Sequence, residues 1–478
     1  MKVLYTAFEC APFFKTGGLG DVAGALPKAL HKKGIETIVV LPYFSFIPDR
    51  FKDECQDVAN FTLEVGWRQQ YCGIKQLDFQ GIRYYFIDNL YYFDRAEIYG
   101  YDDDVERFAF FQLAVIELMN RIDYIPDVLH VNDYHTAMIP FLLKEKYHWV
   151  EEYQAIRTVL TIHNIEFQGQ YSSEILGDLF GVGQRRYNEG VIRWHNQLNF
   201  MKAGIAYANH VNTVSPSYAE EIKTSEFGAG LEIILQMEHQ KLSGILNGID
   251  YETNDPTTDP SLVAHFEVDD LTGKGLNKAE LQRIMGLPEK SDVPIVAVVS
   301  RLTYQKGFHL LLEELEHLLQ FDLQFVLLGT GDPRFEAAFR QITARYPEKS
   351  VAKITFDVTL AQKIYAGADL FLMPSSFEPC GLSQMIAMRY GTLPVVHEIG
   401  GLKDSVHPFN PVTGAGTGFG FEEFTGFYLT QSVKQALELY QKSPNVWKKI
   451  QRQAMTTDFS WDTSCQSYID LYNRLLSK

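Results

Sequence analysis

Long hydrophobic runs are missing from this chain. Nowhere do eighteen apolar residues follow one another, so no segment reads as a membrane-spanning helix. Cysteine is scarce. Cys10, Cys55, Cys72, Cys380 and Cys465 are odd in number and form no CxxC pair, which argues against a disulfide framework or zinc site. A reducing compartment, the cytoplasm, is the expected location. Positive charge is also short. Lys and Arg total 43 against 60 Asp and Glu, and the net charge of −17 excludes a nucleic-acid binder that works by broad phosphate neutralisation. No fixed-period repeat or low-complexity tract occurs, so solenoid and disordered classes fall away. The opening MKVLYTAFECAPFF superficially looks like a secretion signal. Glu9 and Pro12 break its apolar run, and no small-residue cleavage pattern follows, so it reads as a first strand.

What is present is a globular balance: 478 residues, 46% hydrophobic and 22% charged, enough for two buried cores. Short apolar runs alternate with helical periodicity. Val3–Phe8, Thr37–Leu41, Val128–Val131, Thr158–Ile162 and His210–Val214 read as strands, with a helix over Asp21–Lys33. A second series follows at Ile295–Ser300, Leu323–Leu328, Lys353–Phe356, Leu370–Pro374 and Leu393–Val396. Such alternation predicts an α/β fold of two Rossmann-like, doubly wound parallel-sheet domains, with ligands beyond the carboxyl ends of the strands. The expected division is residues 1–241, then 242–456, with Gly, Asn, Asp and Pro between Lys241 and Asp259 suiting a linker. Residues 457–478 carry a helical pattern over Trp461–Leu476 expected to pack back on the first domain.

Several motifs fall at these strand ends. Lys15-Thr16-Gly17-Gly18-Leu19-Gly20-Asp21 joins the first strand to the first helix. Glycines let backbone amides approach an anion, the helix start adds partial positive charge, and Lys15 adds a full one; the bland alternative is a plain turn. Gly18-x-Gly20-x-x-Ala23 also fits a dinucleotide fingerprint, but the second strand ends Val40-Leu41-Pro42-Tyr43 without the acid that would hold a ribose. Arg301 and Lys306 share one loop after a strand. Both can turn onto a diphosphate and stabilise its departure without a metal, or both can simply be solvated. Glu378 stands between a strand and a helix, where a carboxylate can accept from sugar hydroxyls or cap the helix. The Gly381 and Leu382 amides open that helix, and Cys380 beside them has no adjacent base to make it a nucleophile. His163 and Asn164 end another strand, where His163 can reach a sugar or serve only the structure. Asp133, between His130 and His135, can orient neighbours, and no metal-ligand spacing is convincing there. Asp102-Asp103-Asp104 imitates a metal-binding DxD but sits where a loop or helix cap is expected.

In chain order these segments resemble the signatures of bacterial glycogen synthases and plant starch synthases. Lys15-Thr16-Gly17-Gly18-Leu19 looks like the KxGGL motif. Arg301…Lys306-Gly307 and Phe377-Glu378-Pro379-Cys380-Gly381-Leu382 look like the other two signatures. Asn212-Thr213-Val214-Ser215-Pro216 and Leu246-Asn247-Gly248-Ile249-Asp250 are similar to further family segments, so the resemblance runs from Met1 to about Tyr472.

The resemblance implies a GT-B fold with a deep interdomain cleft. It implies retaining, metal- and cofactor-independent transfer of glucose to the non-reducing end of an α-1,4-glucan such as glycogen. Chain length and the KTGGL form favour ADP-glucose over UDP-glucose. It further implies that Arg301 and Lys306 hold the diphosphate and Lys15 reaches the phosphates or sugar. Glu378 would bind glucose hydroxyls, and His163 would contact the glucose. Gly18 and Leu382 would lend amides, and Asn247 would lie beside the donor. Asp21, Asp133, Asn164, Cys380 and Gly381 complete the expected substrate-binding set. Phe356 stands where the family commonly has a base-stacking Tyr, and Tyr134 where it often has Trp. The rival readings are a UDP-glucose-preferring or starch-synthase-like transferase and a non-enzymatic glucan-binding protein.

Overall fold

The structure, a computed structural model, describes residues 1–477. The strands in chain order are β1 (Lys2–Thr6), β2 (Glu36–Pro42), β3 (Gln56–Val65), β4 (Arg68–Phe79), β5 (Ile82–Asp88), β6 (Val128–Asn132) and β7 (Arg157–Ile162). Then come β8 (Gln170–Tyr171), β9 (Arg193–Trp194), β10 (Gln197–Asn199), β11 (His210–Thr213) and β12 (Leu242–Gly244). The second half holds β13 (Ile295–Val299), β14 (Gln324–Leu328), β15 (Ser350–Lys353), β16 (Leu370–Met373), β17 (Leu393–His397) and β18 (Phe419–Phe421).

The chain forms two compact units. One holds Met1–Val214, Ala219–Ile245 and the helix Trp461–Leu476; the other holds Ser215–Tyr218 and Leu246–Ser460. In the first, the sheet order is β12-β11-β7-β6-β1-β2-β5-β4-β3. Pairing is parallel from β12 through β5, and β4 and β3 add an antiparallel edge. The central strands are apolar and buried because helices cover both faces. The second unit has the order β15-β14-β13-β16-β17-β18, parallel throughout. β8, β10 and β9 form a small separate antiparallel sheet.

Three local expectations need correction, and one element lies outside them. The first helix begins at Gly18, not Asp21, because Gly17 adopts an extended N-cap and hydrogen bonding starts there. The strand expected at Lys353–Phe356 lies at Ser350–Lys353, where pairing with Phe325–Leu328 buries Ser350 in the sheet. Phe356 falls in the loop beyond, 85% exposed. The region after Lys241 is not all linker. Leu242–Gly244 pairs with Val211–Thr213, so the first unit runs to Ile245. The hairpin of β3 and β4 went unread, since its strands carry polar, exposed positions and turn at Gly66 with φ 60°.

In the first unit the strand order reverses at β1, which lies between β2 and β6; in the second it reverses at β13, between β14 and β16. Loops leaving neighbouring strands in opposite directions open a crevice at such a point. The motifs sit there.

Candidate active site

In the first unit the glycine loop leaves β1. Glu9, buried, organises it: its carboxylate accepts from the Thr16 amide at 2.6 Å, the Thr16 hydroxyl at 2.8 Å, the Gly17 amide at 3.2 Å and Tyr99 Oη at 2.7 Å. A Cβ on Gly20 would lie 2.4 Å from the Lys15 Cβ, so that glycine lets the loop close on itself. Cβ atoms on Gly17 and Gly18 would meet nothing within 4 Å. The backbone of those two residues is therefore open to a ligand. Lys15, half-exposed, pairs with Asp21 at 2.5 Å.

Next to this loop, on the other side of β1, the segment after β6 turns at Asp133, whose φ is 55°. The buried Asp133 carboxylate accepts the His163 amide at 2.7 Å, and the Asn164 amide also bonds it. Burial raises its pKa to about 7 against those amides. It thus shapes the chain after β7, where His163 sits. Burial holds the His163 ring neutral, with its pKa pulled down to about 3. His163 Nε2 lies 2.9 Å from Asn132 Oδ1. The Asn164 side chain accepts the Glu166 amide at 3.0 Å. His130 and His135 are buried and likewise neutral, near 3; His130 bonds Tyr472 and Thr161, and His135 lies roughly parallel to Phe8 and Tyr99 in a cluster of three rings.

In the second unit, the loop after β13 and the loop after β16 meet. Gly307 has φ 76°, and a Cβ there would lie 1.7 Å from the Pro374 carbonyl, so glycine alone permits this approach. Gln305 clamps the junction: its carbonyl accepts the Ser376 amide at 2.8 Å, and its side chain donates to the Phe377 carbonyl at 3.0 Å. Lys306 Nζ consequently reaches Glu378 Oε2 at 2.6 Å, and Ser375 Oγ donates to the same oxygen at 2.9 Å. The Glu378 carboxylate therefore caps no helix; the following helix, Ser383–Arg389, has Leu382 at its N-cap. Arg301 is different. Its guanidinium is exposed and has no hydrogen bond or ion pair among the described residues.

Gly381 takes φ 72°, and the Cys380 thiol is buried, its pKa raised to about 12, which leaves it protonated and unreactive. The Asn247 backbone bonds that thiol, while the buried Asn247 Oδ1 lacks a partner. The Asp102–Asp104 tract is taken up locally: Asp103 pairs with Arg95 at 2.7 Å, and Asp104 with Arg107 at 2.7 Å. No group of His, Cys, Asp and Glu among the described residues could hold a metal ion. Glu9, Tyr99 and Asn132 were not singled out from sequence. A carboxylate at the end of the first strand, just ahead of a glycine loop, was the available signal for Glu9.

The geometry has close parallels. Residues 2–237 match the family described as starch synthase catalytic domain, and residues 282–454 match glycosyl transferases group 1. A glycogen synthase from Streptococcus pneumoniae (strain JJA) is 61% identical over 477 residues, covering 100% of both chains. The chain belongs to the glycogen and starch synthase family. It is a glycosyltransferase of GT-B fold. The catalytic domain of starch synthase IV from Arabidopsis thaliana, solved bound to ADP and acarbose, is 34% identical with a TM-score of 0.91, over 100% of this chain and 99% of that one. Sucrose-phosphate synthase from Thermosynechococcus elongatus, 16% identical with a TM-score of 0.62 over 100% and 99%, shares the fold. Both signature-bearing switch points lie inside the two family matches.

Proposed function

We propose that the chain transfers glucose from ADP-glucose to the non-reducing end of an α-1,4-glucan, with retention and without a metal. One observation carries the reading: an unpaired Arg301 guanidinium shares a switch-point loop with Lys306, which is held on Glu378. A departing diphosphate needs fixed positive charge, and this loop supplies a fork and a point charge. Glu378 Oε2 is occupied by Lys306 and Ser375, leaving Oε1 for sugar hydroxyls. A carboxylate so engaged is a poor nucleophile, which favours transfer through the leaving phosphate, itself accepting the proton of the acceptor hydroxyl, over double displacement.

The other residues take supporting roles. Lys15, released from Asp21, and the open Gly18 backbone approach the phosphates. The unpartnered Asn247 Oδ1 accepts from a donor hydroxyl. Exposed Phe356 offers a stacking face to the base. Asp133, Asn164, Cys380, Gly381 and Leu382 shape the backbone that meets the substrate. ADP in the starch synthase IV relative supports the choice of nucleotide. Five free cysteines suit the reducing cytoplasm.

The deciding experiment measures glucose incorporation into glycogen from ADP-glucose and UDP-glucose in parallel, in chelator. Incorporation chiefly from ADP-glucose is expected. Incorporation only from UDP-glucose overturns the donor assignment, dependence on added metal overturns the metal-free chemistry, and binding of glucan without transfer overturns the reaction.

A further inference from the structure

Asn132, fully buried at the end of β6, has three polar neighbours around its side-chain amide. Nδ2 donates to the Thr6 carbonyl at 3.0 Å. Oδ1 lies 3.0 Å from Tyr5 Oη and 2.9 Å from His163 Nε2. The Thr6 carbonyl can only accept, so it fixes which end of the amide faces it. Turning the amide over would set oxygen against oxygen and lose a buried hydrogen bond. Oδ1 therefore faces Tyr5 and His163. As an acceptor it receives a hydrogen bond from each, donated by Oη–H and Nε2–H. A neutral imidazole protonated on Nε2 carries a lone pair on Nδ1. His163 Nδ1 has no partner among the described residues. The backbone is tied down separately, through the His163 amide on Asp133.

We infer that Asn132 is a positioning residue that holds His163 as its Nε2–H tautomer, so that Nδ1 accepts a hydrogen bond from one hydroxyl of the transferred sugar. The ligand's identity rests on the proposed glucosyl transfer; the tautomer does not. Burial keeps the ring neutral and the Tyr5 hydroxyl protonated, so the arrangement persists across the working pH range. An analogue lacking that hydroxyl leaves Nδ1 facing an apolar group, the kind of mismatch that discriminates strongly.

The test begins with the wild-type protein. Its histidine rings are labelled with ¹⁵N and read by long-range ¹H–¹⁵N correlation, with His163 assigned by the signal lost in His163→Gln. A fixed Nε2–H pattern is expected; an Nδ1–H pattern, or averaging of the two tautomers, overturns the inference. Tyr5→Phe leaves the His163 acceptor in place and should keep the pattern. Asn132→Leu should release it and lower kcat/KM about tenfold, the scale of one lost hydrogen bond. Glucose donors lacking one hydroxyl at a time give the second readout. One of them should be disfavoured at least about tenfold by wild type and no longer by Asn132→Leu. Equal discrimination by both proteins overturns the assignment. Absence of transfer by the wild-type chain would bring down the glucosyl-transfer reading, and the ring pattern alone would then decide the tautomer.

Discussion

Arg301 and Lys306 lie in one loop yet differ in what holds them. Arg301 is exposed and unpaired, whereas Lys306 is one partner of a largely buried ion pair. Arg301→Ala should therefore lower kcat by about 10²–10³-fold, the cost of removing one preorganised charge-stabilising donor, with a melting temperature within about 1 °C of wild type. Lys306→Ala should lose comparable activity and also melt earlier, because it strands Glu378 without its charge partner. Steady-state kinetics and calorimetry on the pair separate the two roles. Asp133 supplies a pH signature. Its folded pKa is raised from 3.8 to about 7, so between those values the folded chain binds more protons than the unfolded one. Its contribution to stability is fully present below about 4 and is lost as pH rises through about 7. The near-isosteric Asp133→Asn still accepts backbone N–H groups but removes the titration. Its stability relative to wild type should rise from pH 4 to pH 7 and level off above, a trend that denaturant melts at several pH values would show.

Glycines set the two switch-point loops in opposite ways. Gly307→Ala would drive a Cβ into the Pro374 carbonyl and impose strain at φ 76°, so it should cost both stability and transfer by pulling the Lys306 loop from Glu378. Gly18→Ala meets open space and should leave the melting temperature unchanged. If substrate approaches that backbone, its KM rises about tenfold, an effect kinetics at varied donor concentration would reveal. Both loops were legible in the sequence because strand, glycine and cation fall in a fixed local order. The central parallel strands were legible too, as continuous apolar runs such as Ile295–Val299, whereas β5 and the short edge strands β12 and β18 were not. Long-range pairing was not. Ser350–Lys353 carries one strong β-former, and only its partner β14 decides its register against the more apolar residues that follow. Nor did the sequence disclose the hold of Glu9 on Thr16 and Gly17, or of Asn132 on His163, since each joins segments that only the fold brings together.

The helix Trp461–Leu476 belongs to the unit that opens the chain. Its Tyr472 hydroxyl bonds buried His130 Nδ1 at 2.6 Å, and its Tyr468 hydroxyl accepts from Asn212 at 3.1 Å. Tyr472→Phe should cost about 1–3 kcal/mol by stranding the His130 nitrogen, and Tyr472→Ala about 3–5 kcal/mol through the added cavity; urea titrations would rank them. His130 lies on β6, next to β1 and two residues before Asn132, so the tail helix braces the strands that carry the first switch point. The order of synthesis follows from the same feature. A ribosome finishes Leu246–Ser460 before it makes the helix that the earlier residues need. The second unit is thus complete as a domain while the first still waits for its last piece. During translation the older half of the polypeptide stays exposed longer, with the places of Tyr468 and Tyr472 unfilled.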